Sequence, residues 1–174
     1  MHLYLIGYRG SGKSTVGKTL ATRLNRIFID TDSQIEQITG KTIREIFTEQ
    51  GEPAFRLLEE REISRVANMK LPAVVALGGG AILSLANREN LQTSGYCVWL
   101  SASPGKLFAR ICADQNSPTL RPNLTNSGGY AEVEAVLAVR EPIYCKLASK
   151  MVITDEKSPD EVVEEILDWE KSLA

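Results

Sequence analysis

Nowhere in the 174 residues do apolar side chains run for the roughly 20 positions that a bilayer span requires, so membrane insertion through a helix is not expected. Cysteine is scarce and unpaired. Cys97, Cys112 and Cys145 are odd in number, widely spaced and contain no C-x-x-C pair, which excludes a disulfide framework or a thiolate metal site and suits reduced thiols. Excess positive charge is missing too. The formal net charge is −2, so there is no general basic surface for nucleic acid, and any anion site must be local. The chain shows no internal repeat and no low-complexity linker. The apolar run Leu3–Ile6 is too short for a signal peptide, and without one the formal sequon at Asn123 carries no meaning. A cytoplasmic protein of one domain is expected, since 43% hydrophobic and 24% charged residues are ordinary globular usage.

What is present is concentrated near the start. Gly7-Tyr8-Arg9-Gly10-Ser11-Gly12-Lys13-Ser14 is a complete G-x-x-x-x-G-K-[ST] phosphate loop, preceded by the strand-like His2–Ile6 and followed by a helix-like stretch, Lys13 to Leu24. The glycines let successive N–H groups turn inward towards a polyphosphate, and the positive end of the following helix adds to that field. Lys13 supplies a point charge for the β- and γ-phosphates, and Ser14 a hydroxyl for Mg²⁺. Gly10, Ser11, Gly12, Lys13, Ser14 and Thr15 are therefore the nucleotide-binding candidates. A dinucleotide fingerprint over Gly10-x-Gly12 fails, because Thr15 occupies the third glycine position and Lys13-Ser14 has no role there.

Short apolar runs alternate with helical patterns along the rest of the chain. Strands are expected at His2–Ile6, Arg26–Asp30, Ala73–Leu77, Tyr96–Leu100 and Met151–Thr154. Helices are expected at Lys13–Leu24, Ser33–Ile38, Thr42–Gln50, Pro53–Met69, Leu83–Leu91 and from Pro104 to about Ala113, with two more around the last strand. Nearly all-apolar strands with helical connections imply an α/β fold, a five-stranded parallel sheet between two helical layers, with the ligand beyond the carboxyl ends of the strands. Those ends hold Gly7, Asp30 with Asp32, and Gly78-Gly79-Gly80. If the chain stays extended through Asp30-Thr31-Asp32, both carboxylates point to one side. One can then associate with Mg²⁺ while the other reaches an acceptor hydroxyl. Helix capping by Asp32 or Ser33 is the alternative.

Two arginines lie on helix stripes that are otherwise partly apolar. Arg56 falls with Glu59, Ile63 and Val66, and Arg140 with Val133, Val136, Leu137, Tyr144 and Leu147. A guanidinium so placed must find an anion or carbonyls. A structural partner such as Glu59 would serve, and so would convergence of both arginines on a substrate carboxylate. Gly78-Gly79-Gly80 can bring bare amides against a ligand or form a plain turn. The stretch from Asp114 to Gly129, rich in Asn, Ser, Pro and Gly, reads as a lid carrying Arg121, with Arg110 just before it.

Together the phosphate loop, Phe28-Ile-Asp-Thr-Asp32, Ile46-Phe47, Gly51-Glu52, Phe55-Arg56, Glu59, Gly78-Gly-Gly80, Leu120-Arg-Pro122 and Arg140-Glu-Pro-Ile-Tyr144 resemble the shikimate kinases, nearly end to end. These are small members of the nucleoside-monophosphate-kinase-like P-loop group. The resemblance implies transfer of the ATP γ-phosphoryl group to the 3-hydroxyl of shikimate, with Mg²⁺, by a monomer on the route to chorismate and the aromatic amino acids. It implies that Asp32 holds or deprotonates the hydroxyl and that Asp30 organises Mg²⁺ with Ser14. Arg56, oriented by Glu59, and Arg140 would clamp the carboxylate beside Gly78, Gly79 and Gly80. Lys13 and Arg121 would act on the phosphates, and Arg110 would cover the adenine. It further divides the chain into a core (1–32, 71–113 and 130–174), a substrate-binding region (33–70) and a lid (114–129). Extra residues, Asn116–Thr119, and Asn123 depart from the family pattern in that lid. The rival readings are a gluconate or nucleotide kinase of similar fold and a non-catalytic nucleotide-binding module.

Overall fold

Alternate side chains of a strand go to opposite faces, so a strand that is apolar throughout needs a helical cover on both sides. The computed structural model, which describes residues 1–114 and 129–173, meets that demand. Its strands are β1 (His2–Ile6), β2 (Ile27–Asp30), β3 (Ala73–Ala76), β4 (Gly95–Ser101) and β5 (Lys150–Ile153). They form one sheet in the order β2-β3-β1-β4-β5, and every neighbouring pair is parallel. On β1, Tyr4 and Ile6 join one core with Val75, Cys97, Trp99, Ile63 and Leu137. Leu3 and Leu5 join the other with Val16, Leu20, Val98, Val163 and Ile166. The expected three-layer architecture is the observed one.

The helices are α1 (Lys13–Leu24), α2 (Thr31–Thr39), α3 (Ile43–Ala67), α4 (Leu85–Ser94), α5 (Pro104–Ala113), α6 (Gly129–Leu147) and α7 (Pro159–Lys171), with a 3₁₀ turn at Ala81–Leu83. Their starts follow local chemistry. Thr42 with Glu45, and Ser158 with Glu161, form capping boxes. Ser103 caps α5 just before Pro104. The continuous span α3 is broken at Gly51 (φ 82°, ψ 168°), two residues before Pro53, so the two expected helices are two arms of one kinked element. The helix expected at Leu83 begins later, because Ser84 is extended and caps α4 from outside. Among the described residues, no helix is long and apolar enough to cross a membrane. Arg121 and nearly all of the expected lid lie outside the described residues.

Candidate active site

Two adjoining cavities open at the carboxyl edge of the sheet, where β1, β2 and β3 end. The larger, of about 570 Å³, is lined by Arg9 to Val16, Asp30, Asp32, Arg110, Thr154, Lys157 and Pro159, among others. It is built by the phosphate loop. Gly12 sits at φ 94° as the residue before α1, and no side chain caps that helix, so its first amides are left for a ligand. Lys13 folds back on the loop, donating to the carbonyls of Gly7 (2.8 Å) and Tyr8 (2.9 Å). Ser14 Oγ donates to Asp30 Oδ2 at 2.6 Å. Arg110 is anchored on Thr154, donating to its Oγ1 (3.0 Å) and its carbonyl (2.6 Å). The loop after β5 is tied down by Asp155, which accepts from Ser103 N (3.0 Å) and Ser103 Oγ.

The smaller cavity, about 60 Å³, is lined by Tyr8, Arg9, Asp32, Ile43, Phe47, Phe55, Arg56, Glu59, Gly78, Gly79, Gly80 and Arg140. Here two cations and an apolar wall meet. Arg56 Nη1 donates to Glu59 Oε2 (2.8 Å), and its Nε and Nη2 donate to Glu52 Oε1 (3.1 and 2.8 Å). Burial pulls the Arg56 pKa down, but the two glutamates more than reverse this and leave it raised. Glu59 is 1% exposed, and its carboxyl is pushed up to about 7 by burial, which outweighs the attraction of Arg56. Arg140, 7% exposed, stands over the Tyr8 ring with Cζ 5.9 Å from the centroid. Tyr144, one turn on, donates from its hydroxyl to the Gly79 carbonyl at 2.6 Å and stacks on Trp99 at 5.7 Å.

Two of the three glycines, Gly78 and Gly80, leave no free space for a side chain. A Cβ on Gly78 would lie 2.7 Å from both Asp32 Oδ1 and Glu59 Oε1, and one on Gly80 would lie 2.6 Å from both terminal nitrogens of Arg56. These turns therefore let three charged groups crowd into one small space. The aromatic wall is Phe47 against Phe55, with centroids 5.0 Å apart, and Arg56 packs over Phe55 at 5.3 Å.

One expectation is overturned. The chain is not extended through Asp30-Thr31-Asp32, because α2 begins at Thr31 directly after β2. Asp30 is itself the helix cap, accepting from Ser33 N at 3.3 Å, while Asp32 lies buried in the first turn. The helical turn rotates the second carboxylate away from the first. Asp30 lines the larger cavity alone, whereas Asp32 lines both. The other described candidates gather in two groups. Ser11, Gly10, Gly12, Lys13, Ser14, Thr15 and Arg110 border the larger cavity, and Arg56, Glu59, Gly78, Gly79, Gly80 and Arg140 the smaller.

Sequence reasoning missed Arg9, which lines both cavities, and its partner Glu132, whose Oε1 lies 3.8 Å from Arg9 Nη2. A signal for Glu132 was available. It begins the i, i+4 row Glu132, Val136, Arg140, Tyr144 along α6.

Comparison with known proteins gives this arrangement its family. The family model for shikimate kinase matches residues 9–171. A shikimate kinase of Rhodopirellula baltica is 43% identical over 166 residues, covering 95% of this chain and 88% of that protein. A solved structure of shikimate kinase from Acinetobacter baumannii, in complex with shikimate, superposes with a TM-score of 0.90 at 34% identity, covering 98% of this chain and 93% of that one. A gluconokinase from Sinorhizobium meliloti reaches a TM-score of only 0.55 at 19% identity, a likeness of fold alone. The chain belongs to the shikimate kinase family, whose members are ATP-dependent kinases.

Proposed function

We propose that this chain transfers the γ-phosphoryl group of ATP, with Mg²⁺, to the 3-hydroxyl of shikimate. The observation that carries the reading is the junction of the two cavities. Among the described residues, a phosphate-loop cavity and a cavity holding two arginines share only Arg9 and Asp32 in their linings, so the reacting atoms of donor and acceptor meet beside them.

In this reading the smaller cavity takes the acceptor. Arg56 and Arg140 receive its carboxylate, with the planar, paired donors that such a group favours. Glu59 holds Arg56, and the close-packed Gly78–Gly80 turn leaves room for a ring against Phe47 and Phe55. Asp32, buried at the junction, accepts the hydroxyl proton as the acceptor oxygen attacks the γ-phosphorus. The bond from that phosphorus to the β–γ bridging oxygen breaks, and ADP leaves with the electron pair.

The larger cavity takes the nucleotide. Lys13 exchanges its two loop carbonyls for phosphate oxygens, and the open start of α1 supplies amides. Arg110, fixed on Thr154, flanks the base with Lys157 and Pro159. Mg²⁺ fits Ser14 and Asp30, a hydroxyl and a carboxylate already 2.6 Å apart on this cavity. Among the described residues no group of three or more His, Cys, Asp or Glu could hold a metal, which suits an ion completed by nucleotide oxygens. Bound there, Mg²⁺ would neutralise charge developing on the phosphates. Arg121, assigned to the phosphates from the sequence, lies outside the described residues.

The test is turnover with ATP and Mg²⁺ over a panel of hydroxy acids, with the product identified by mass spectrometry. Phosphoshikimate is expected. Phosphorylation of gluconate or a nucleoside monophosphate, with none of shikimate, would overturn the reading.

A further inference from the structure

The two residues of the phosphate loop that follow Gly7 are both gripped by α6. Tyr8 lies beneath Arg140. Arg9 lies beside Glu132, whose side chain is completely buried. Positions 132 and 140 are two helical turns apart on one row, about 12 Å along the axis. The helix that contributes a cation to the smaller cavity therefore also contacts the phosphate loop.

Arg9 is incompletely satisfied. Its side chain is 17% exposed, and the 3.8 Å between Nη2 and Glu132 Oε1 is an ionic contact, longer than a hydrogen bond. Its Nε is buried with no acceptor among the described residues. A guanidinium offers five donors in a fixed fork, and leaving one unused inside a protein is costly. Such a group is suited to an anion that arrives from elsewhere, and Arg9 lines the cavities of both reactants. Glu132 balances its charge across the 3.8 Å contact.

From this geometry we infer that Arg9 is a catalytic residue that donates to the phosphoryl group in transit between the two cavities, and that Glu132 is a positioning residue acting through Arg9. The inference rests on the phosphoryl transfer proposed above. The group in passage spreads negative charge over its outer oxygens, so a donor fixed beside its path strengthens as the reaction proceeds. Such a contact lowers the barrier without tightening either ground-state complex.

The experiment is a double-mutant cycle in kcat, run with whichever acceptor the wild-type enzyme phosphorylates. A wild type that uses another hydroxy acid thus defeats the functional reading while leaving the cycle measurable. Arg9→Met should lower kcat about 30-fold, the order found for a lost transition-state donor, with both KM values within about threefold. Glu132→Gln, nearly isosteric, should lower kcat about fivefold in the wild type and not at all in the Arg9→Met background. Arg9→Lys, which keeps charge but loses the fork, should recover part of the loss. If Glu132→Gln does not fold, Glu132→Asp completes the cycle, and its effect should likewise vanish without Arg9. Unchanged kcat in Arg9→Met, a loss confined to KM, or multiplicative effects in the double variant would each overturn the inference.

Discussion

Replacing Gly80 by alanine tests the proposed acceptor site without replacing a charged residue. Gly80 sits at φ −97°, ψ −6°, which any L-residue can adopt, so the substitution brings no backbone strain. The consequence lies in the new methyl group. It would stand 2.6 Å from Nη1 and Nη2 of Arg56 and 2.8 Å from Cζ, and ordinary contact begins at 3.4 Å. The guanidinium must retreat by about 0.8 Å, which it can do because it ends a long side chain. A retreat along the line away from Glu59 would take their 2.8 Å bond beyond hydrogen-bond range. One charge-assisted hydrogen bond is worth about 1.5–3 kcal/mol, or about 10- to 150-fold in an equilibrium constant. Because the guanidinium ends in the cavity, the loss should fall on acceptor binding more than on folding. Shikimate titrated at saturating ATP, with ADP release as readout, should give a KM raised about tenfold or more. The KM for ATP should stay within about twofold. An unchanged shikimate KM in a folded Gly80→Ala enzyme would refute the placing of Arg56 on the carboxylate.

Other consequences follow from the same geometry. Arg140→Lys keeps the charge but loses the planar fork over Tyr8, so the shikimate KM should rise about tenfold while ATP is used normally; equal turnover of shikimate and its methyl ester by wild type would contradict the clamp. Asp30→Asn removes the carboxylate on Ser14 but keeps a helix-capping side chain, so the Mg²⁺ concentration giving half-maximal rate should shift while the melting temperature holds. Asp32→Asn should depress kcat strongly with nucleotide affinity nearly intact, as measured by ADP titration. Glu59 holds its proton to about pH 7 when folded, against a usual 4.5. The folded state therefore binds more protons in that window, and this contribution to stability falls as pH rises through it. The melting temperature of Glu59→Gln should show a flatter pH dependence between those values, and an unchanged slope would refute the assignment.

The parts legible in the sequence were those whose cause is local. The glycine spacing of the phosphate loop dictates its own conformation, and apolar runs as short as Ala73–Ala76 announce strands covered on both faces. Arg56 and Arg140 were visible only as guanidiniums that needed an anion, since nothing within either helix says that the two meet. Their convergence depends on β3 ending between α3 and α6, a matter of sheet order. The crowding at Gly78 and Gly80 was likewise invisible, because a glycine demanded by a neighbour's side chain looks in sequence like one demanded by a turn.

Asp30-Thr31-Asp32 shows how a local rule fails at a boundary. Period-two spacing puts two side chains on one side only while the strand lasts, and here the helix starts at the very next residue. That abrupt start nonetheless serves the chemistry. Had the strand continued, both carboxylates would have faced the phosphate-loop cavity together, two like charges side by side. Instead the cap fixes Asp30 on Ser14, and the first helical turn carries Asp32 to the junction with the acceptor cavity. The two acids thus divide between metal and hydroxyl in the proposed reaction because a helix begins between them.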